Sequence, residues 1–263
     1  MTGKAGSPTG DGTVGKALEV LDMVAARGRP VRFSELLSES RHPKATLYRL
    51  LQTLVSQGML AYDGTRQTYS LGIRLVRLAH AAWAQSSIAP IARPFVSALS
   101  EKLGETVHLA QLDGGQVLYV DKRNASKAVD MFSQAGKVGP AYCTGVGKAL
   151  LAFLEPGELT RAIARQSFHR HTPATLVTEA GLRAELETIR RDGIAYDREE
   201  HEPGIVCIAA PVLTSNGRPA GALSVTTSTR RMSLDELAKA ARPALLETAA
   251  GIAAAVEDWQ FPG

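Results

Sequence analysis

The chain has 263 residues, 44% of them hydrophobic and 21% charged, proportions of a globular protein with room for one large domain or two ordinary ones. No apolar run reaches the roughly 18 residues that a membrane span needs, and the opening residues 1–13 lack the hydrophobic stretch of a secretory signal. The first 80 residues hold eleven Lys/Arg against six Asp/Glu, whereas the remainder hold 19 against 20; a basic lobe on a near-neutral body is the footprint of a protein that touches phosphate with one end.

Residues 1–12, rich in Gly, Ser, Thr and Pro, read as a flexible tail. Over residues 14–26, Val14, Ala17, Leu18, Leu21, Val24 and Ala25 recur at helical spacing, and Gly28 and Pro30 stop the helix. A short second helix over 33–38 puts Phe33, Leu36 and Leu37 on one face. After a turn at Ser40-Arg41-His42, Pro43 suits the first position of a third helix, whose Leu47, Leu50, Leu51, Leu54 and Val55 make a buried stripe and which Gly58 ends. Extended pieces at 61–62 and 68–71 flank Asp63-Gly64-Thr65-Arg66, where the Asp-Gly pair favours a hairpin. Three helices and a hairpin predict a winged helix-turn-helix over 13–71. A helix over 71–84 then joins the halves, in a linker at 72–87.

From residue 88 the texture changes. A helix over 91–103 precedes strands predicted at 106–112, 117–123 and 129–132. Thr144-Gly145-Val146-Gly147 opens a helix running to about residue 153, and 179–192 is a second surface helix. Strands follow at 194–197, 205–211 and 220–227, and a long Ala-rich helix over 234–256 closes the chain. Mixed strands with helices at both ends predict an α+β sensor domain over 88–263, with no internal repeat.

The major groove admits an α-helix whose N-terminal, outward residues reach base edges. With the leucines inside, the outward set on the third helix is Lys44, Ala45, Thr46, Tyr48, Arg49, Gln52 and Thr53. It offers cations for phosphate or guanine, a hydroxyl, a methyl for thymine and an amide suited to adenine, and Arg66 sits on the wing. An ordinary solvated face would look similar; the preceding short helix, turn and hairpin favour DNA. The turn departs from the usual Gly followed by an apolar residue. A non-Gly residue at positive φ costs roughly 1 kcal/mol, so either the turn differs or the helix pair is strained. His42 is expected to be solvated rather than to hold a phosphate.

Free backbone amides and little side-chain bulk make Thr144-Gly145-Val146-Gly147 suited to a carboxylate, although the glycines could equally serve tight packing of helix on sheet. The stretch is not an ATP loop, because Lys148 is followed by Ala149 rather than Ser or Thr. Cys143 and Cys207 are too few for a disulfide framework and lack metal-ligand spacing; reduced thiols in a cytoplasmic protein are expected, with no cofactor. Either thiol could in principle pair with His169, His171 or His201 in an enzyme. Nothing resembles a nucleophile elbow or catalytic loop, and a DNA-reading domain would then be unexplained.

These motifs, in this order, resemble the IclR family of transcriptional regulators. The carriers are Pro43-Lys44-Ala45-Thr46-Leu47-Tyr48-Arg49-Leu50-Leu51-Gln52-Thr53-Leu54, Tyr69-Ser70-Leu71-Gly72, Cys143-Thr144-Gly145-Val146-Gly147-Lys148-Ala149, Tyr196-Asp197-Arg198-Glu199-Glu200-His201-Glu202-Pro203-Gly204, Cys207-Ile208-Ala209-Ala210-Pro211 and Gly221-Ala222-Leu223-Ser224-Val225. The resemblance implies a winged helix-turn-helix, a linker helix and a GAF-like effector domain with an antiparallel sheet flanked by helices. It also implies a repressor or activator acting as a homodimer or homotetramer on a partly palindromic double-stranded operator. Effector contacts are implied at Thr144, Gly145, Val146, Asp197, Cys207, Ser224 and Thr226, with wall positions at Met131, Gly139 and Ile205. Gly139 is small for a wall residue and should enlarge the cavity. Residues 131–137 resemble the sugar-acid branch of the family, including the pectin-degradation repressors. A sugar acid or related keto acid is therefore the expected effector.

Overall fold

A computed structural model describes residues 12–124, 131 and 133–257, with residues 83–86 described by backbone alone. The chain divides into two compact units, Met1–Gln85 and Ser86–Gly263. Among the described residues no helix is long and apolar enough to cross a membrane. The predicted tail falls almost wholly outside the described residues, as does the strand predicted at 129–132, of which only Met131 is described and lies in no strand.

The described residues of the first unit form the helices α1 (Thr13–Ala26), α2 (Phe33–Glu39) and α3 (Lys44–Ser56) and the strands β1 (Val31–Arg32), β2 (Leu60–Asp63) and β3 (Thr68–Leu71). The strands pair antiparallel in the order β1-β3-β2, with Tyr69 opposite both Val31 and Tyr62. Leu47, Leu50, Leu51 and Leu54 of α3 are buried against Val20, Leu21 and Val24 of α1, Leu36 of α2 and Tyr69. The buried face of α1 is rotated from the expected one. Val14 and Leu18 stay 73% and 51% exposed, and Val20 is buried in their place. The strand β1 was not anticipated, because two residues are too few for an alternation to register.

Two local expectations change. Pro43 caps α3 with extended backbone (ψ 147°) instead of forming its first turn. In the wing, Asp63 Oδ1 accepts hydrogen bonds from the amides of Thr65 (2.9 Å) and Arg66 (3.1 Å), and the left-handed residue is Gln67 (φ 53°), not Gly64. The unit continues into α4 (Ile73–Ser86), entered through Gly72, where any Cβ would collide with the Gly58 carbonyl.

The second unit is built on a six-stranded antiparallel sheet formed by β4 (Thr106–Asp113), β5 (Gln116–Arg123), β6 (Val138–Gly139), β7 (Ala195–Arg198), β8 (Ile205–Leu213) and β9 (Pro219–Ser228), in the order β6-β5-β4-β9-β8-β7. The helices α5 (Ala89–Leu103) and α9 (Leu234–Ala255) pack on each other and on β4, β8 and β9, while α6 (Gly145–Leu151) packs on β4, β7, β8 and β9 and on α8 (Glu179–Asp192). A further short helix, α7 (Pro156–Ile163), starts on a proline and was not foreseen, nor was β6.

Successive side chains of a strand face opposite ways. Ala110, Ala195, Ala209 and Ala222 share one core cluster with Val146 and Ala149 of α6, so small residues on that face let the helix lie close to the sheet. His108, Asp197, Cys207, Ser224 and Thr226 continue the same alternation and share that face. The register sets them in two cross-strand rows, one running Thr226, Cys207, Asp197 and the other His108, Ser224, Ala209.

Candidate DNA-reading helix and effector cavity

On α3, Lys44, Ala45, Tyr48, Arg49 and Gln52 are exposed and Thr46 is half-buried, because the leucine stripe consumes the opposite face. Tyr48 leans edge-on against Phe33 at 6.1 Å between centroids yet remains 54% exposed. Arg66 stands on the wing with 81% of its side chain exposed, its guanidinium 3.9 Å from Asp63.

The turn before α3 is not strained. Ser40 and Pro43 carry extended backbone, the Ser40 hydroxyl accepts from the His42 amide at 3.0 Å, and no residue from 40 to 43 has positive φ. His42 is not solvated. Its side chain is 8% exposed, with Nε2 3.1 Å from Glu19 Oε2, and Arg41 Nη2 reaches the same oxygen at 2.8 Å. The two positive-capable side chains of the turn are thus tied to α1 rather than held out for phosphate, and chiefly the Arg41 hydrogen bond lowers the Glu19 carboxyl.

In the second unit, Met131, Thr144, Gly145, Val146, Asp197, Ile205, Cys207, Ser224 and Thr226 line a single cavity. Gly139 does not line it: it lies buried in β6 opposite Val117, so its lack of a side chain does not widen the cavity. Five further lining residues were not foreseen, namely His108, Tyr119, Ser133, His201 and Glu202. His108 could have been flagged as a polar residue in an apolar strand, but the sequence carries no register to say which hydroxyls it meets.

The glycine turn serves packing. The Cys207 sulfur lies against Gly145, and a Cβ on Gly145 would come 2.5 Å from it. A Cβ on Gly147 would collide with the Ala141 backbone. Both glycines therefore let α6 sit down on the sheet.

Burial dominates the electrostatics. It pushes the Asp197 carboxyl up to about 7, helped by the negative charges of Glu200 and Glu202 and opposed by the Glu200 amide, which donates to Oδ1 at 2.8 Å, and by Lys148. Burial, then the nearby Lys122 ammonium, drops His108 to about 3, so its ring is neutral. Burial, then His171, takes His201 to about 4. Both thiols are driven upward, Cys143 to about 12, by burial and by Asp197. Neither is a thiolate at neutral pH, and a nucleophilic cysteine requires one. Behind the cavity Lys148 is fully buried, its Nζ 2.5 Å from Glu200 and 3.2 Å from Glu185. Among the described residues no group of three His, Cys, Asp or Glu could hold a metal ion.

Comparison with known proteins covers both units. Residues 13–64 match the IclR helix-turn-helix domain, and residues 80–254 match the C-terminal domain of bacterial IclR transcriptional regulators. The chain is 32% identical to the HTH-type transcriptional regulator XynR of Escherichia coli (strain K12), over 86% of this chain and 90% of that one. It is equally 32% identical to the HTH-type transcriptional regulator KdgR of the same strain, over 90% of both. The crystal structure of a putative transcriptional regulator from Rhodococcus sp. RHA1 superposes with a TM-score of 0.81 at 27% identity, covering 94% of this chain and 99% of that one. These families and relatives are transcriptional regulators, not enzymes, so a helix with its leucines inward and its cations outward, joined to a sheet-borne cavity, makes this chain a DNA-binding member of the IclR family.

Proposed function

We propose that α3 enters the major groove with Lys44, Ala45, Thr46, Tyr48, Arg49 and Gln52, that Arg66 of the wing meets the backbone, and that the cavity takes a hydroxylated carboxylic acid, a sugar acid or related keto acid of carbon catabolism. The observation that carries the DNA assignment is the exposed cationic face of α3 opposite its buried leucines. The effector assignment rests on a cavity with two serines, two threonines, two neutral histidines and Asp197, and on the resemblance of residues 131–137 to the sugar-acid branch. Asp197 acts as a hydrogen-bond donor to the acid when it carries its proton. Effector binding then shifts the population of domain arrangements, which requires different affinity for each.

The protein acts in the cytoplasm as a homodimer or homotetramer on a partly palindromic operator. Support for self-association comes from the large apolar side chains left exposed on α1 (Val14, Leu18) and α4 (Ile73, Val76, Leu78), which a partner chain would cover. Sedimentation equilibrium should give two or four times the monomer mass; a monomer at micromolar concentration contradicts this part.

Genomic footprinting of the purified protein supplies the operator, and titrations across salt concentrations test the contacts. Changing both Lys44 and Arg49 to Ala should weaken operator binding by about 100-fold or more and flatten the slope of log K against log salt by about 1–2. Unchanged duplex affinity in a folded double variant would overturn the assignment of α3.

A further inference from the structure

We infer that His108 is a specificity-determining residue that reads a hydroxyl group of the effector, so that the cavity selects hydroxy acids over their deoxy counterparts. This rests on the effector reading above.

His108 lies in the middle of the sheet, on the central strand β4, 2% exposed, and lines the cavity. A buried imidazole must have both nitrogens satisfied, and the two are unequally served here. Nε2 is 2.7 Å from Ser133 Oγ, a short bond. Nδ1 has two contacts, Ser224 Oγ and Thr226 Oγ1, each at 3.3 Å and beyond the usual 2.7–3.2 Å range. Those two hydroxyls are also 3.4 Å from one another. One ring nitrogen is thus held and the other shares loose partners.

The surroundings keep this arrangement neutral and oriented. Tyr119 meets the ring edge-on at 5.5 Å. Lys122 Nζ donates to the Ser133 carbonyl at 2.8 Å and disfavours an imidazolium nearby. A neutral imidazole offers one donor and one acceptor, and serine and threonine hydroxyls rotate to do either. The group of His108, Ser133, Ser224 and Thr226 can therefore accommodate an incoming hydroxyl, which both donates and accepts. A purely aliphatic carboxylate would displace whatever fills the cavity and leave Nδ1 poorly bonded, and buried sites built to bond a hydroxyl reject analogues that lack it.

The test is a ligand-by-residue cycle, run by calorimetric titration of the full chain with D-gluconate and its 2-, 3- and 4-deoxy counterparts. In the wild type, one of the deoxy acids should bind about 10- to 100-fold more weakly than gluconate. In His108→Phe that ratio should collapse to within about 3-fold. His108→Asn, which keeps one donor and one acceptor, should restore part of it and carries the same comparison if the phenylalanine variant does not fold. A general loss of packing would weaken all the acids equally and leave the ratios intact. Ratios unaltered in both variants therefore overturn the role of His108 while leaving the effector reading standing. A wild-type protein that binds none of these acids, nor 2-keto-D-gluconate, overturns the effector reading, and this inference with it.

Discussion

Replacing Lys148 by Met should lower the melting temperature of the second unit by roughly 6–20 °C. The Lys148 ammonium is fully buried between Glu200 at 2.5 Å and Glu185 at 3.2 Å, and Glu200 itself is almost wholly buried, with Oε2 lacking a hydrogen-bond partner among the described residues. Removing one partner of such a pair strands a charge and costs about 3–5 kcal/mol, and about 2–4 °C accompanies each kcal/mol in a domain of this size. The pair also fastens the loop that brings His201 and Glu202 to the cavity. The Glu200 carbonyl accepts from the Thr175 hydroxyl at 2.7 Å, Thr172 Oγ1 bonds the Glu199 carbonyl at 2.7 Å, and Glu199 sits at φ 61°. Changing Glu200 to Gln in the Lys148→Met background should recover a substantial part of the loss, because the uncompensated charge is then gone. A loss below about 2 °C by calorimetry, or no recovery in the double variant, would show that the pair's attraction only balances its desolvation.

Asp197→Asn should stabilise the ligand-free protein at pH 8 and leave it nearly unchanged at pH 4. Burial raises this carboxyl from its ordinary 3.8 to about 7 in the fold. Between those values the folded chain retains a proton that the unfolded chain gives up, so stability falls as pH rises from about 4 to about 7. The cost is fully present above pH 7 and absent below pH 4. A shift of about three units corresponds to an effect on the order of 2–4 kcal/mol, or roughly 5–15 °C. Asn keeps an oxygen to accept the Glu200 amide and has no charge to bury. Melting curves of both proteins across pH 4–8 should diverge toward high pH. Parallel curves would mean that Lys148 holds Asp197 ionised throughout.

Much of this architecture was legible because it is local. The leucines of α3 recur at helical spacing, so the exposure of Lys44, Tyr48 and Arg49 followed from them. Likewise the Ala-rich run became α9, closed at its start by Ser233 and Glu236. What stayed hidden depends on distant partners. His42 is set by Glu19, 23 residues earlier on another helix. The buried face of α1 rotated because Val20, outside the expected stripe, meets the α3 leucines. The glycines of the α6 turn left two readings open; the Cys207 sulfur against Gly145 shows the packing role, while the turn also lines the cavity. Gly139 was misplaced for a similar reason: its partner is Val117 across β6 and β5, a pairing that no alternation over two residues announces.

His108 and Ser224 touch across neighbouring strands although 116 positions separate them along the chain. The wall they share therefore exists only once β9 has been laid beside β4, a closure over most of the second unit. Every segment of the first unit, by contrast, is synthesised by residue 85. At about 5–20 residues per second on the ribosome, a growing chain carries the whole DNA-reading unit for about 7–30 s before it owns a place for a ligand, and a chain cut short before β9 never acquires one.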